Sequence, residues 1–204
     1  MSGKRAITAI HADQRSSRSG LDDRHRAAAA SVRQPESGTI ADVTIMQLVV
    51  VRHAHAGEKR LWRGADVDRP LSALGVRQSS WLTEHLCRRR VARVIASPAL
   101  RCRQTVSPLA DVLGLEVQVC PALAATETDG PGALIGLLLD PAFSDAVVCT
   151  HGEVLAPLLD RPDVMAAAQR RGLSRDALMS KGSASQLQVR ADGAVQSLTH
   201  LRPP

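Results

Sequence analysis

The sequence predicts an α/β fold, a mostly parallel sheet with helices on both faces, preceded by a polar tail. Three features carry the prediction. Leu48-Val-Val-Val51 and Ala146-Val-Val-Cys149 are continuous apolar runs, the pattern of strands buried on both faces rather than one. Between them lie stretches with helical spacing of apolar residues. Near the C-terminus, Ala191-Asp-Gly193 separates two strand-like runs as a hairpin turn does.

Taken in order, residues 1–45 hold Arg15-Ser-Ser-Arg-Ser-Gly20, the alanine run Ala27–Ala30 and Arg33-Gln-Pro-Glu-Ser-Gly38, with little hydrophobic periodicity. They are expected to form a disordered N-terminal tail, in which a short helix over Asp22–Val32 would have no apolar face to dock. Met46 stands directly before the first strand and is a candidate start of translation in its own right, and the folded domain is expected over residues 46–204. Leu48–Val51 is its first strand. Ser72 caps a long helix reaching Arg90, on which Leu74, Val76, Trp81, Leu82 and Leu86 approximate an apolar stripe. Val94-Ile-Ala96 is a second, short strand. Pro98 suits the first turn of a helix that runs to Leu113 and stops at Gly114. Glu116–Val119 reads as an edge strand and Pro131–Leu139 as a helix. Ala146–Cys149 is the fourth strand, leading through Thr150-His-Gly into another helix. Past Pro162, two short helices precede Gln186–Arg190 and Ala194–Leu201, whose hairpin adds antiparallel strands.

Composition narrows the class. Of 204 residues, 44% are hydrophobic and 23% charged, enough to build one core and too few residues for two large ones. No apolar run reaches bilayer-spanning length, and Met1–Arg15 lacks the apolar centre and cleavage site of a secretory signal, so a cytoplasmic location and no membrane partner are expected. Cys87, Cys102, Cys120 and Cys149 form no CxxC pair and no Cys/His spacing of a metal site, and read as reduced thiols. The net charge of +6 could mark a nucleic-acid surface, but the chain's three aromatic residues, Trp62, Trp81 and Phe143, are not interleaved with a basic stripe. Nucleic acid is therefore not expected as a partner. Anionic small substrates account for the charge equally well. Nothing in the sequence speaks to oligomeric state.

The chemistry lies at the strand ends. Arg52-His53 follows the first strand, Arg101 the second and His151 the fourth, at the sheet edge where open α/β proteins bind ligands. Two guanidinium groups and two imidazoles around one point suit a phosphoryl group, whose oxygens match the Arg fork and whose charge the cations stabilise during transfer.

Val51-Arg52-His53-Ala54-His55-Ala56-Gly57 resembles the R-H-G/A signature of the histidine phosphatase superfamily, and Ser97-Pro-Ala-Leu-Arg101-Cys-Arg-Gln-Thr105 its second signature, S-P-x-x-R-A-x-Q-T. Cys149-Thr-His151-Gly152-Glu is similar to the third. Asp66-Val-Asp-Arg-Pro-Leu-Ser72, with Gly75 and Gln78, resembles the D-x-x-R-P-L-T-x-x-G-x-x-Q segment of SixA-type phosphohistidine phosphatases. It is closer still to the phosphatase domain that follows a Nudix domain in certain two-domain proteins, although this chain carries no Nudix signature. The likeness runs from about Met46 to Pro204. It implies a three-layer, phosphoglycerate mutase-like fold with a small or absent cap.

The resemblance also implies roles. His53 attacks phosphorus and carries a transient phosphohistidine; Arg52, Arg101 and His151 bind the substrate oxygens and stabilise their charge, with no metal or cofactor required. Neutral imidazole is nucleophilic near physiological pH, which agrees. The general acid of the family lies a little over two dozen residues beyond the second arginine, where Glu127 sits 26 positions past Arg101 and Asp129 is the alternative. His55 is expected to line the mouth as a substrate-binding residue. Arg103 is expected in solvent and Cys102 in helix packing.

Between Glu127 and His151 there is room for one helix and no substantial cap, which favours hydrolysis over a mutase reaction that must exclude water. Phosphohistidine and anhydrides also depart without the strong acid that an alcohol leaving group needs. The expected function is thus a metal-independent phosphatase acting on protein phosphohistidine or nucleotide di- and polyphosphates. The alternatives are a phosphomonoesterase for small esters and a non-catalytic member that binds phospho-ligands. The complete set His53, Arg52, Arg101 and His151 argues against the latter.

Overall fold

The computed structural model describes residues 45–204. The tail expected before the domain lies outside the described residues, except Ile45, which opens the first strand.

Six strands form one sheet: β1 (Ile45–Arg52), β2 (Arg93–Ala96), β3 (Val117–Val119), β4 (Ala146–Thr150), β5 (Ala184–Arg190) and β6 (Val195–Leu201), in the order β3-β2-β4-β1-β5-β6. The pairs from β3 to β1 are parallel, and β5 and β6 join antiparallel as the hairpin predicts. Strand β1 sits between β4 and β5, so its backbone is paired along both edges. Its side chains alternate between two cores. Leu48 and Val50 pack with Leu134 and Leu138 of α3 (Gly130–Leu139) and with Leu155 and Leu158 of α4 (Gly152–Leu159). Val49 and Val51 face the opposite side, against Leu82 and Leu86 of α1 (Ala73–Leu86) and Val106 and Leu109 of α2 (Leu100–Leu113). A strand with apolar residues on both faces is the middle of three layers. Two short helices, α5 (Pro162–Gln169) and α6 (Arg175–Leu178), precede the hairpin.

Two helix bounds differ from the sequence reading. Helix α1 stops at Leu86 rather than Arg90; Arg89 N–H bonds Leu86 O in a turn, and Ala92 N–H bonds Asp145 O to enter β2. Three consecutive arginines are locally good helix formers, so only that sheet contact ends the helix. Helix α2 starts at Leu100 with Ala99 as its N-cap, because Ser97 is still held in the sheet through its N–H to Cys149 O, 3.0 Å. It ends as expected at Gly114, in the left-handed region with φ +66°. Between β3 and β4 lie only a short turn, α3 and a further turn, so the described residues hold no large insertion there.

The chain leaving β1 is clamped where it turns. Ala54 N–H donates to Thr105 Oγ1 at 3.0 Å, His55 N–H to Gln78 Oε1 at 2.9 Å, and Ser72 N–H to His55 O at 3.0 Å. A Cβ on Gly75 would stand 2.0 Å from His55 O, so the start of α1 can come this close only as glycine.

Candidate active site

Four of the expected residues meet at the carboxyl edge of the sheet. His53 continues β1 and keeps one ladder bond, N–H to Thr150 O at 3.0 Å, which holds it beside the end of β4. His151 caps α4, and its ring centroid is 5.3 Å from that of His53, edge to face. Arg101 rises from the first turn of α2 and brings Nη2 within 3.3 Å of His151 Nδ1. Arg52 closes the group: a Cβ on Gly152 would be 3.2 Å from its guanidinium, so the absence of a side chain there lets α4 start against the arginine. The N-terminal end of α4 adds the positive pole of a helix to the same edge.

Protonation follows from the partners. Nδ1 of His53 faces the Ala54 carbonyl at 2.8 Å; a carbonyl only accepts, so Nδ1 carries the proton and Nε2 presents a lone pair. Burial, at 7% exposure, lowers the His53 pKa to about 3; the Ala54 hydrogen bond opposes this, and His151, Arg101 and Arg52 add to it. In His151, Nε2 faces Ser97 Oγ at 2.8 Å and Nδ1 faces the Arg101 guanidinium at 3.3 Å.

Arg52 donates to Met179 O through Nη1. Arg101, 4% exposed, donates to Asp66 O at 2.6 Å and to Asp66 Oδ2 at 3.1 Å. The Nε atoms of both arginines are buried without a partner among the described residues. The other Asp66 oxygen accepts from Arg69 Nε at 2.9 Å, and Arg69, itself buried, donates to Ala56 O at 2.9 Å. Burial pushes the Asp66 carboxyl up, but the Arg69 hydrogen bond and the charges of Arg101, Arg69 and Lys59 outweigh it and hold the group below the usual carboxylate range.

The remaining candidates lie elsewhere. The His55 ring is bound at Nδ1 to Ser72 Oγ, 2.7 Å, at the start of α1, and no hydrogen bond joins it to Arg52, Arg101 or His151. Glu127 and Asp129 are exposed on the turn before α3, and no hydrogen bond or ion pair ties either carboxylate to the four-residue group. That turn is nonetheless anchored at the site's rim by Thr150 Oγ1, which donates to Leu123 O at 2.8 Å. Arg103 is in solvent. Cys102 packs in α2, fully buried, and also brings Sγ within 3.6 Å of His151 Nε2. Burial raises that thiol's pKa, but hydrogen bonds with Cys149 and His151 pull it below the usual range, while Cys149 is raised.

Sequence reasoning gave no role to Ser97, Asp66, Arg69 or Lys181. The first three stand inside the motifs quoted above, and that was their signal. Lys181 sits in the link between α6 and β5 and carried none. Among the described residues no group of three His, Cys, Asp or Glu could hold a metal ion.

The profile of the histidine phosphatase superfamily (branch 1) matches residues 48–128, which include Arg52, His53 and Arg101. An 8-oxo-(d)GTP phosphatase of Mycolicibacterium smegmatis (strain ATCC 700084 / mc(2)155) is 32% identical over 116 residues, 55% of this chain and 36% of that protein. The chain thus spans about a third of the length of that curated relative. A structure described as the phosphohistidine phosphatase SixA of Nakamurella multipartitia is similar at 26% identity and a TM-score of 0.54, over 78% of this chain and 96% of that one. The protein histidine phosphatase SixA complexed with tungstate shares the fold, with a TM-score of 0.53 at 21% identity over 77% and 95% of the two chains. No helix of the described residues is long and apolar enough to cross a membrane.

Proposed function

We propose that the chain is a metal-independent phosphatase that passes a phosphoryl group through His53 to water. The observation that carries this reading is the His53 ring itself: Nδ1 is committed to the Ala54 carbonyl, leaving Nε2 neutral and free beside Arg52, Arg101 and His151. Nε2 attacks phosphorus, and the bond to the leaving group breaks with its electron pair going to that group. Arg52, Arg101 and His151 hold the three equatorial oxygens, and their fixed charge opposes the charge that builds there. Water then attacks the phosphoramidate, the P–N bond breaks back to His53, and phosphate leaves with the proton the water gives up. The two unpartnered buried Nε atoms support the oxygen-binding roles, since a buried donor without an acceptor is costly.

Two substrate classes fit, protein phosphohistidine and nucleotide di- or polyphosphates. Both leave readily without a strong acid. The similarity to a SixA structure supports the first and the similarity to an 8-oxo-(d)GTP phosphatase the second. Glu127, on the turn anchored to Thr150, is the proposed proton donor for poorer leaving groups, with Asp129 as the alternative; His55 is proposed to steady the mouth through Ser72. The test is a parallel screen of the purified chain and His53→Ala against a phosphohistidine peptide, nucleoside diphosphates, sugar phosphates and an aryl phosphate. Turnover lost in the variant supports the reading. A wild-type chain inert to all four removes it.

A further inference from the structure

We propose that Lys181 is a specificity-determining residue that binds the phosphoryl group adjoining the one transferred to His53, so that the site prefers a phosphoanhydride to a phosphomonoester. The inference rests on the phosphatase reading above and deepens it.

The link that carries Lys181 is tied to the nucleophile's own strand end on every side. Arg52 N–H bonds Ser183 O at 3.1 Å, and Gly182 N–H bonds Arg52 O at 3.1 Å and His53 O at 3.2 Å. The Arg52 guanidinium reaches Met179 O. Gly182 has φ +74° and lies against Gln78, which in turn holds His55 N–H, so the link cannot drift from the site without breaking the turn after β1. Lys181 is half-buried within this clamp. Its surroundings are cationic. Burial, then the charges of Arg52, Arg69 and Arg101, hold its ammonium below the usual lysine range, and no carboxylate of the described residues pairs with it.

Charge then selects the ligand. Arg101, Arg69 and Lys59 all pair with the one carboxylate Asp66, whereas Arg52 and Lys181 have no carboxylate partner among the described residues. The oxygens of one phosphoryl group are matched by Arg52, Arg101 and His151. Lys181 is therefore in excess for a monoester, and an unpaired cation among like charges costs stability unless an anion completes it. A second phosphoryl group bonded to the first supplies that anion, and an ammonium is a point charge suited to its mobile oxygens. Because the second group becomes the leaving phosphate, the same contact stabilises the charge it acquires when the anhydride bond breaks.

The experiment measures kcat/KM of the full-length chain for a nucleoside diphosphate and for an aryl monophosphate, in wild type, Lys181→Met and Lys181→Arg. The ratio of diphosphate to monophosphate should fall about tenfold to a hundredfold in Lys181→Met, as loss of one charge-assisted contact predicts, and recover in Lys181→Arg. Wild-type turnover of the aryl phosphate should also be inhibited more tightly by inorganic pyrophosphate than by phosphate, with that difference lost in Lys181→Met. Relief of like-charge crowding leaves the variant's melting temperature at or above wild type. A ratio within about twofold of wild type, or no diphosphate turnover beside good aryl phosphate turnover, overturns the Lys181 assignment alone. Inactivity of the wild-type chain toward both overturns the phosphatase reading and this inference with it.

Discussion

With Nδ1 tied to the Ala54 carbonyl and the ring 7% exposed, His53 remains neutral through the whole range in which an ordinary imidazole titrates. The same burial has a thermodynamic consequence. The folded-state pKa of about 3 lies below the unfolded value of 6.5, so as pH falls between them the unfolded chain binds a proton that the folded chain refuses. Stability is therefore lost on acidification, by roughly 1.4 kcal/mol per pH unit from this group within that window. Denaturant midpoints measured from pH 7 to pH 4 should fall more steeply for wild type than for His53→Ala. Parallel profiles would mean that the ring is not held neutral. His151 illustrates a different lesson: its motif marks it, yet its orientation is set by Ser97 and Arg101, both contributed from the β2–α2 junction. The Cys102 contact was equally hidden. It arises only because β2 pairs with β4, which brings the two motifs side by side.

At the scale of elements, strand ends and helix starts do the positioning. Helix α4 can begin against Arg52 because Gly152 has no side chain, and Gly152→Ala would place a methyl 3.2 Å from a guanidinium already held by Met179 O. The substitution should lower kcat/KM by about tenfold or more, since a displacement near 1 Å can cost on the order of a hundredfold, while helix α4 and the melting temperature are little changed. Unchanged kinetics would show that Arg52 does not need its present place. The strands that carry the site were legible because β1 and β4 are uninterrupted apolar runs and β2 sits directly before a motif. The end of α1 was not. Arg88, Arg89 and Arg90 are compatible with helix locally, and the sheet bond from Ala92 to Asp145 that ends it is a long-range event. Lys181 was illegible for the same reason, since its link acquires meaning only by lying against Arg52 and His53.

For the whole molecule, the sheet supplies the argument about length. Ile45 pairs with Arg190 and Met46 with Val189, and Met46 is buried, so the folded unit needs its chain from Ile45 onward. We propose that residues 1–44 are dispensable. A chain beginning at Ile45 should keep its turnover and melt within about 3 °C of the full chain, the shift expected for about 1 kcal/mol in a domain of this size. A larger loss of either would assign the preceding segment a part in the fold or the site. The mixed sheet also explains why the two arginines and two histidines meet: three parallel strands end at one edge, and the antiparallel β5 brings the Lys181 link to that edge from the other direction.

The most direct test of the account is the identity of the phosphorylated residue. Rapid quench of the wild-type chain with substrate carrying a labelled phosphoryl group, followed by alkaline work-up that preserves phosphohistidine and by peptide mapping, should recover the label on His53, at Nε2 because Nδ1 is committed to Ala54 O. His53→Ala should trap none, and Glu127→Gln should still trap it. Label recovered on His151, on Cys102 or on any residue other than His53 would contradict the mechanism.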